Sequence, residues 1–199
     1  VISFLAVAAI GAIVVPLNPL FKRDELDFYF RNSGVRAVIG DEPGIAVSER
    51  IVEGWDEGVR LITTGPASGR ARSFDRVIEE HAGGRLASRA ADEDLVFQYS
   101  SGSTGRPKRV ARTHGQCWAE ADSYMAAMHI GPEDTLFCAV PLFHTYGMGN
   151  CLTTFVRTGS TLVIMEDPNP FILNRGRALE LLERHRVTLF PGVPFNFRL

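Results

Sequence analysis

Little in this chain of 199 residues points to a disulfide, a metal cage or a membrane anchor. Only three cysteines occur, Cys117, Cys138 and Cys151. They lie far apart with no C-x-x-C pair, so buried free thiols in a reducing, cytoplasmic compartment are expected, and a disulfide or zinc site is not. An excess of one charge is missing too. The 21 basic and 23 acidic side chains are well mixed and leave a formal net charge of -2, so no basic stripe announces nucleic acid and no acidic tail appears. Lone histidines such as His81 and His185 carry no ligand spacing and read as surface or helix-end residues. Residues 1–21 contain no charge, yet a spanning helix needs about 20 unbroken apolar residues. Gly11, Pro16 and Asn18-Pro19 interrupt this run, and a signal peptide would need a basic start. A helix covered on most sides, feeding a buried strand at Ile13-Val14-Val15, is expected instead.

What is present is a chain with 45% hydrophobic residues, enough for a real core and for one large or two small domains. Its most informative stretch is Tyr99-Ser100-Ser101-Gly102-Ser103-Thr104-Gly105-Arg106-Pro107-Lys108-Arg109-Val110, directly after the apolar Leu95-Val96-Phe97. Glycines let a backbone approach a phosphate, successive N–H groups can converge on oxygen, and hydroxyls add short donors. Gly, Ser, Thr and Pro also compose ordinary surface turns. The order of strand, hydroxyl-glycine loop, Pro-Lys and second strand favours a polyanion grip. Neither the spacing of a Walker loop nor the Gly-x-Ser-x-Gly of a nucleophile elbow occurs.

Around that loop the pattern alternates helices and strands. Helices are expected at 1–11, 23–32 (stopped by Gly34), 42–53, 74–81 (capped by Ser73), from His114 onward, at 151–158 and at 174–186. Residues 65–72 read as a loop. Strands are expected at 35–39, 59–63, 95–99, 136–140, 161–165 and 187–190. Cys117, Trp118, Ala121, Tyr124, Met125 and Met128 form a helical stripe that reads as core packing. The implied class is α/β, with layered, largely parallel sheets flanked by helices. Residues 82–94 read as a linker between a first half, 1–81, and a second, 95–199. In an open parallel sheet, ligands gather beyond the carboxyl ends of strands. The phosphate loop, the turn Pro141-Leu142-Phe143-His144-Thr145-Tyr146-Gly147-Met148-Gly149-Asn150 and the turn Pro191-Gly192-Val193-Pro194 each follow a strand, so one shared site is expected.

The stretch from Tyr99 to Val110 resembles the phosphate-binding signature of the adenylate-forming (AMP-binding) superfamily, which includes acyl- and aryl-CoA synthetases, luciferases and peptide-synthetase adenylation domains. Every position fits except Arg109, where the family normally has glycine. GAIVVPLNP, the Pro-x-Phe-His-x-x-Gly turn and the closing Gly-Val-Pro turn are similar to family segments as well. The resemblance implies part of the large N-terminal domain of an ATP-dependent, AMP-forming carboxylic acid–CoA ligase. The later acidic segment, the ribose-gripping Asp, the hinge and the small C-terminal domain are not in this stretch.

In that implied reaction the substrate carboxylate attacks the α-phosphorus of ATP and expels pyrophosphate, before thioester formation with coenzyme A. The resemblance assigns Ser101, Gly102, Ser103, Thr104, Gly105 and Lys108 to the phosphates. It makes Lys108 and Thr104 the catalytic pair, with Thr104 also facing the Mg2+ shell. His144, Phe143, Tyr146 and Gly147 fall to the small-molecule carboxylic acid; Phe143-His144 stands where amino-acid-activating domains usually have Phe-Asp. His114 matches a histidine shortly after the family's loop and reads as a helix-start residue. Alternatives are an acyl-AMP ligase without CoA transfer, a non-catalytic nucleotide-binding homologue, or a phosphatase or kinase using the same loop. No nucleic acid and no membrane span are expected, and oligomeric state stays open.

Overall fold

The computed structural model describes residues 1–55, 58–81, 83–84, 86–100, 107–166 and 174–197. The chain forms two compact units, one of Ile2–Gly11 and Leu17–Ala87, the other of Val1, Ala12–Pro16 and Ser88–Leu199.

In the first unit, α1 (Ile2–Ala9) is apolar but buries no residue. Most of its residues are half-buried, with Ile2 and Ala6 exposed. The core of this unit is built elsewhere. Leu26 and Phe30 of α2 (Arg23–Ser33) meet Ile45, Ile51 and Val52 of α3 (Glu42–Val52). The spacing of Leu26, Tyr29 and Phe30 puts all three on one helical face. Gly34, at φ 63, takes the left-handed position that ends α2 as expected. The Asp41 carboxylate caps α3 by accepting from Gly44 N–H at 3.0 Å. Strands β1 (Ala37–Gly40), β2 (Arg60–Thr63) and β3 (Arg72–Ser73) form a parallel sheet in that order. Arg72 thus leaves the expected loop to join a strand. Ser73 stands at the N-cap of α4 (Phe74–Glu80), but its side chain makes no capping hydrogen bond. Its backbone has the extended conformation usual for an N-cap and pairs with Thr63.

The second unit opens on an antiparallel hairpin of β4 (Asp94–Ser100) and β5 (Lys108–Thr113). Val14 pairs in parallel with Val96: Val14 N–H donates to Leu95 O and Phe97 N–H to Val14 O, both at 2.9 Å. This single bridge stands where a buried strand was expected, and Ile13 is 39% exposed. Helix α5 (His114–Met128) starts in a capping box in which Thr113 and Gln116 each accept the other's N–H. Of its stripe only Cys117 and Ala121 are buried, while Trp118 and Met128 face outward. Arg157 lies over the Trp118 ring at 5.6 Å, a contact suited to a half-wet aromatic.

Strand β6 (Thr135–Cys138) then carries the centre of the unit. It pairs in parallel with β7 (Thr161–Ile164), and Leu136 forms a parallel bridge with Leu189. Between β6 and β7 come a π-helix, Gly147–Thr153, and α6 (Thr154–Thr158). Ala178 and Leu181 of α7 (Arg175–Arg184) pack on Phe137, Ala139, Val163 and Met165. The segment expected as a last strand at 187–190 thus contributes one bridge, followed by the 3-10 turn Pro194–Phe197. Cys117, Cys138 and Cys151 are free and buried, as expected.

Candidate active site

The hairpin β4–β5 positions the mouth of the hydroxyl-glycine loop. Ser100 pairs with Lys108, Tyr99 with Arg109 and Gln98 with Val110, so residues 101–107 connect two strands held in fixed register. Ser101, Gly102, Ser103, Thr104 and Gly105 lie outside the described residues. Lys108 is exposed at the first position of β5. Cross-strand partners share a face and alternate residues change face. Lys108 therefore stands on the same hairpin face as Ser100, Gln98 and Val110, and Arg109 on the other.

Arg109 is where this chain departs from the superfamily pattern. It adopts extended strand backbone, and its guanidinium lies 4.6 Å from the centroid of the Phe97 ring. Glycine's freedom is not required at a paired strand position, so the arginine fits there without backbone strain.

Gln98 is 7% exposed, a polar residue in an inward strand position. Its Nε2 donates to the Met148 sulfur at 3.9 Å, a weak hydrogen bond but a close contact across 50 residues of sequence. Met148 is fully buried in the π-helix that follows the histidine turn. The face of the hairpin carrying Lys108 is thus the face that meets the element behind His144.

The turn itself is tightly built. His144 N–H donates to Pro141 O at 3.1 Å, and Met148 N–H to His144 O at 3.0 Å. The imidazole is exposed, and its Nδ1 accepts from Tyr146 N–H at 3.3 Å. A neutral ring in that arrangement carries its proton on Nε2, the nitrogen left for a ligand. Phe143 is half-buried beside it. Tyr146 packs with Leu142 against Cys138, Val140 and Cys151 and donates its hydroxyl to Gly192 O at 3.3 Å. This bond brings the histidine turn and the Gly192 turn together. Gly147 is buried, and a Cβ there would stand 2.5 Å from Pro141 O. Only glycine lets the π-helix start so close to the turn.

Hydroxyls fasten that helix from within. Thr153 and Thr154 both donate to Gly149 O, at 2.7 and 3.1 Å. Below it, the hydrogen bond with Cys138 and burial push the Cys151 thiol above the usual thiol range. Burial likewise pushes the Tyr124 phenol up to about 12.

Two parts of this arrangement escape sequence reading. Gln98 has a signal, being polar at an inward position of an alternating strand. The Tyr146 contact with Gly192 has none, because a backbone carbonyl is chemically the same at every residue. Among the described residues no group of three or more His, Cys, Asp or Glu could hold a metal ion. Nor is any helix among them long and apolar enough to cross a membrane.

Parallel strand pairs flanked by helices, together with the antiparallel β4–β5 hairpin, match the N-terminal domains of adenylate-forming enzymes in fold. The whole chain, residues 1–199, matches the family model described as AMP-binding enzyme. The chain belongs to that family. 4-Coumarate–CoA ligase 3 of Oryza sativa subsp. japonica is 28% identical over 197 residues, which are 96% of this chain and 34% of that protein. 3-Hydroxybenzoate–CoA ligase of Aromatoleum sp. (strain CIB) is 28% identical over 202 residues, covering 100% of this chain and 37% of that protein. The crystal structure of a benzoate CoA ligase from Burkholderia xenovorans LB400 superposes with a TM-score of 0.79 at 26% identity, covering 95% of this chain and 36% of that one. The chain spans about a third of the length of the curated relatives it matches.

Proposed function

We propose that this chain forms part of an AMP-forming acid–thiol ligase that activates an aromatic carboxylic acid with ATP and passes it to coenzyme A. The observation that carries the reading is the hairpin face on which Lys108 stands, which contacts, through Gln98 and Met148, the π-helix behind His144. A cation at a polyanion loop and an imidazole at an acid turn are thereby set on neighbouring elements. Membership of the AMP-binding family supports the ATP half of the proposal, and relatives that are ligases of coumarate, hydroxybenzoate and benzoate support an aromatic acid. The three free buried thiols fit a reducing compartment such as the cytoplasm.

In this reaction the protein supplies charge neutralisation and alignment rather than a nucleophile. The carboxylate oxygen bonds to the α-phosphorus of ATP while the bond to the pyrophosphate oxygen breaks. Ser101, Gly102, Ser103, Thr104 and Gly105 are assigned to the β- and γ-phosphates, and the Lys108 ammonium to the charge gathering on the departing pyrophosphate. Thr104 is assigned a hydroxyl toward a magnesium ion carried on those phosphates. His144 Nε2–H donates to the carboxylate, with Phe143, Tyr146 and Gly147 as walls of the acid pocket.

The full-length protein should catalyse ATP–pyrophosphate exchange that depends on the added acid, with hydroxycinnamates and benzoates ahead of fatty acids, and should form AMP and a thioester once coenzyme A is added. Formation of ADP or free phosphate in place of AMP and pyrophosphate would overturn the reading. Acid-dependent exchange without thioester would instead favour an acyl-AMP ligase.

A further inference from the structure

The Arg112 guanidinium on β5 meets the Glu120 carboxylate on α5 at 2.6 Å. The two side chains are 16% and 32% exposed, whereas both partners of every other ion pair found among the described residues are more than a third exposed. Surface pairs of that open kind contribute little. A shielded one holds its partners in a defined geometry and is costly to break on one side.

Glu120 has a second neighbour. A Cβ built on Gly149 would lie 2.7 to 2.8 Å from both carboxylate oxygens and the carboxyl carbon of Glu120. The carboxylate therefore rests against bare backbone of the π-helix, at the residue whose carbonyl takes the Thr153 and Thr154 hydroxyls. Strand β5, helix α5 and the π-helix are clasped at one point. Arg112 also shares its strand face with Lys108, since the two are four residues apart on β5.

We propose that Arg112 and Glu120 are positioning residues of the site: the pair sets the spacing between the strand that presents Lys108 and the π-helix that backs the His144 turn. The proposal rests on the ligase reading. The pair aligns two bound substrates without touching either one. Its loss misplaces the carboxylate relative to the α-phosphorus, which lowers kcat and leaves both Michaelis constants nearly as they were. A misplacement of this sort reaches about 100-fold in well-aligned sites, and about tenfold is expected for a shift that neighbouring packing limits.

The test uses the full-length protein with Glu120→Ala, Gly149→Ala, the double variant and Glu120→Gln, in acid-dependent pyrophosphate exchange with KM measured separately for ATP and acid. Glu120→Ala should lower kcat about tenfold at near-constant KM; Gly149→Ala, whose new methyl group displaces the end of the Glu120 side chain, should lower it by no more than that, and Glu120→Gln, which keeps the side chain's shape, by less. The double variant should be no slower than Glu120→Ala alone, because no carboxylate remains to be expelled. Melting temperatures of the same proteins should show the same non-additivity and distinguish a loss of folding from a loss of rate. Unchanged kcat in folded Glu120→Ala, effects that multiply in the double variant, or a rise confined to one KM would each overturn the proposal. Absence of exchange in the unsubstituted protein would bring down the ligase reading, and the positioning role with it.

Discussion

The Tyr146 hydroxyl donates to the Gly192 carbonyl at 3.3 Å, joining two turns that lie 46 residues apart in the chain. One turn follows β6 and the other follows the Leu189 bridge to the same strand, so two adjacent strand ends are tied by one side chain. Tyr146→Phe keeps the ring in its place beside Cys138, Val140 and Cys151 and removes only the bond. A loss of about 1 kcal/mol in urea unfolding is expected. In exchange assays the KM for the acid should rise more than the KM for ATP.

Gly147→Ala should be far more damaging. Its Cβ would meet a backbone carbonyl, Pro141 O, at 2.5 Å, and backbone cannot swing aside as a side-chain end can. A destabilisation of about 1 to 3 kcal/mol is expected from overpacking. Acid-dependent exchange should fall in the fraction that remains folded. Calorimetry alongside the assay checks both.

Lys108→Ala touches an exposed side chain at a strand start, so thermal stability should change little. The exchange rate should fall by about 10- to 100-fold, the equivalent of one charge-assisted hydrogen bond. An unchanged rate would remove Lys108 from the phosphate role.

Alkali should unfold the protein partly through Tyr124. Burial raises its phenol to about 12 from the ordinary value of 10.0, so the folded state holds the proton more tightly than the unfolded chain does. The stabilisation is therefore complete below about pH 10 and is lost as pH rises toward about 12. Urea unfolding between about pH 9 and about pH 11.5 should show that decline, and Tyr124→Phe should make it shallower.

Much of the fold was legible in the sequence. The spacing of Leu26, Tyr29 and Phe30 and the glycine after them mark α2 because helix periodicity and left-handed termination are local properties. Thr113 and Gln116 are local in the same sense, and the helix begins at His114 as expected. The readings that failed depend on neighbours. Ile13 looks buried because it is apolar, yet burial is decided by what packs against it. Ser73 does take the N-cap position of α4, but its hydroxyl makes no capping bond, and side-chain direction is not written in local sequence. Trp118 and Met128 complete a stripe on α5 that only Cys117 and Ala121 carry into the core.

The same division runs through the candidate site. Local chemistry, namely hydroxyls, glycines and a lysine after an apolar strand, together with an imidazole in a glycine-rich turn, marks the two stretches that matter. That much needed no coordinates, because residue type and short spacing determine which groups can hold an oxyanion. Their relationship is tertiary. Gln98 against Met148, Tyr146 on Gly192, and Glu120 against Gly149 join residues from distant parts of the chain. Such pairs are selected by packing distance, and one-dimensional order carries no record of distance across a fold.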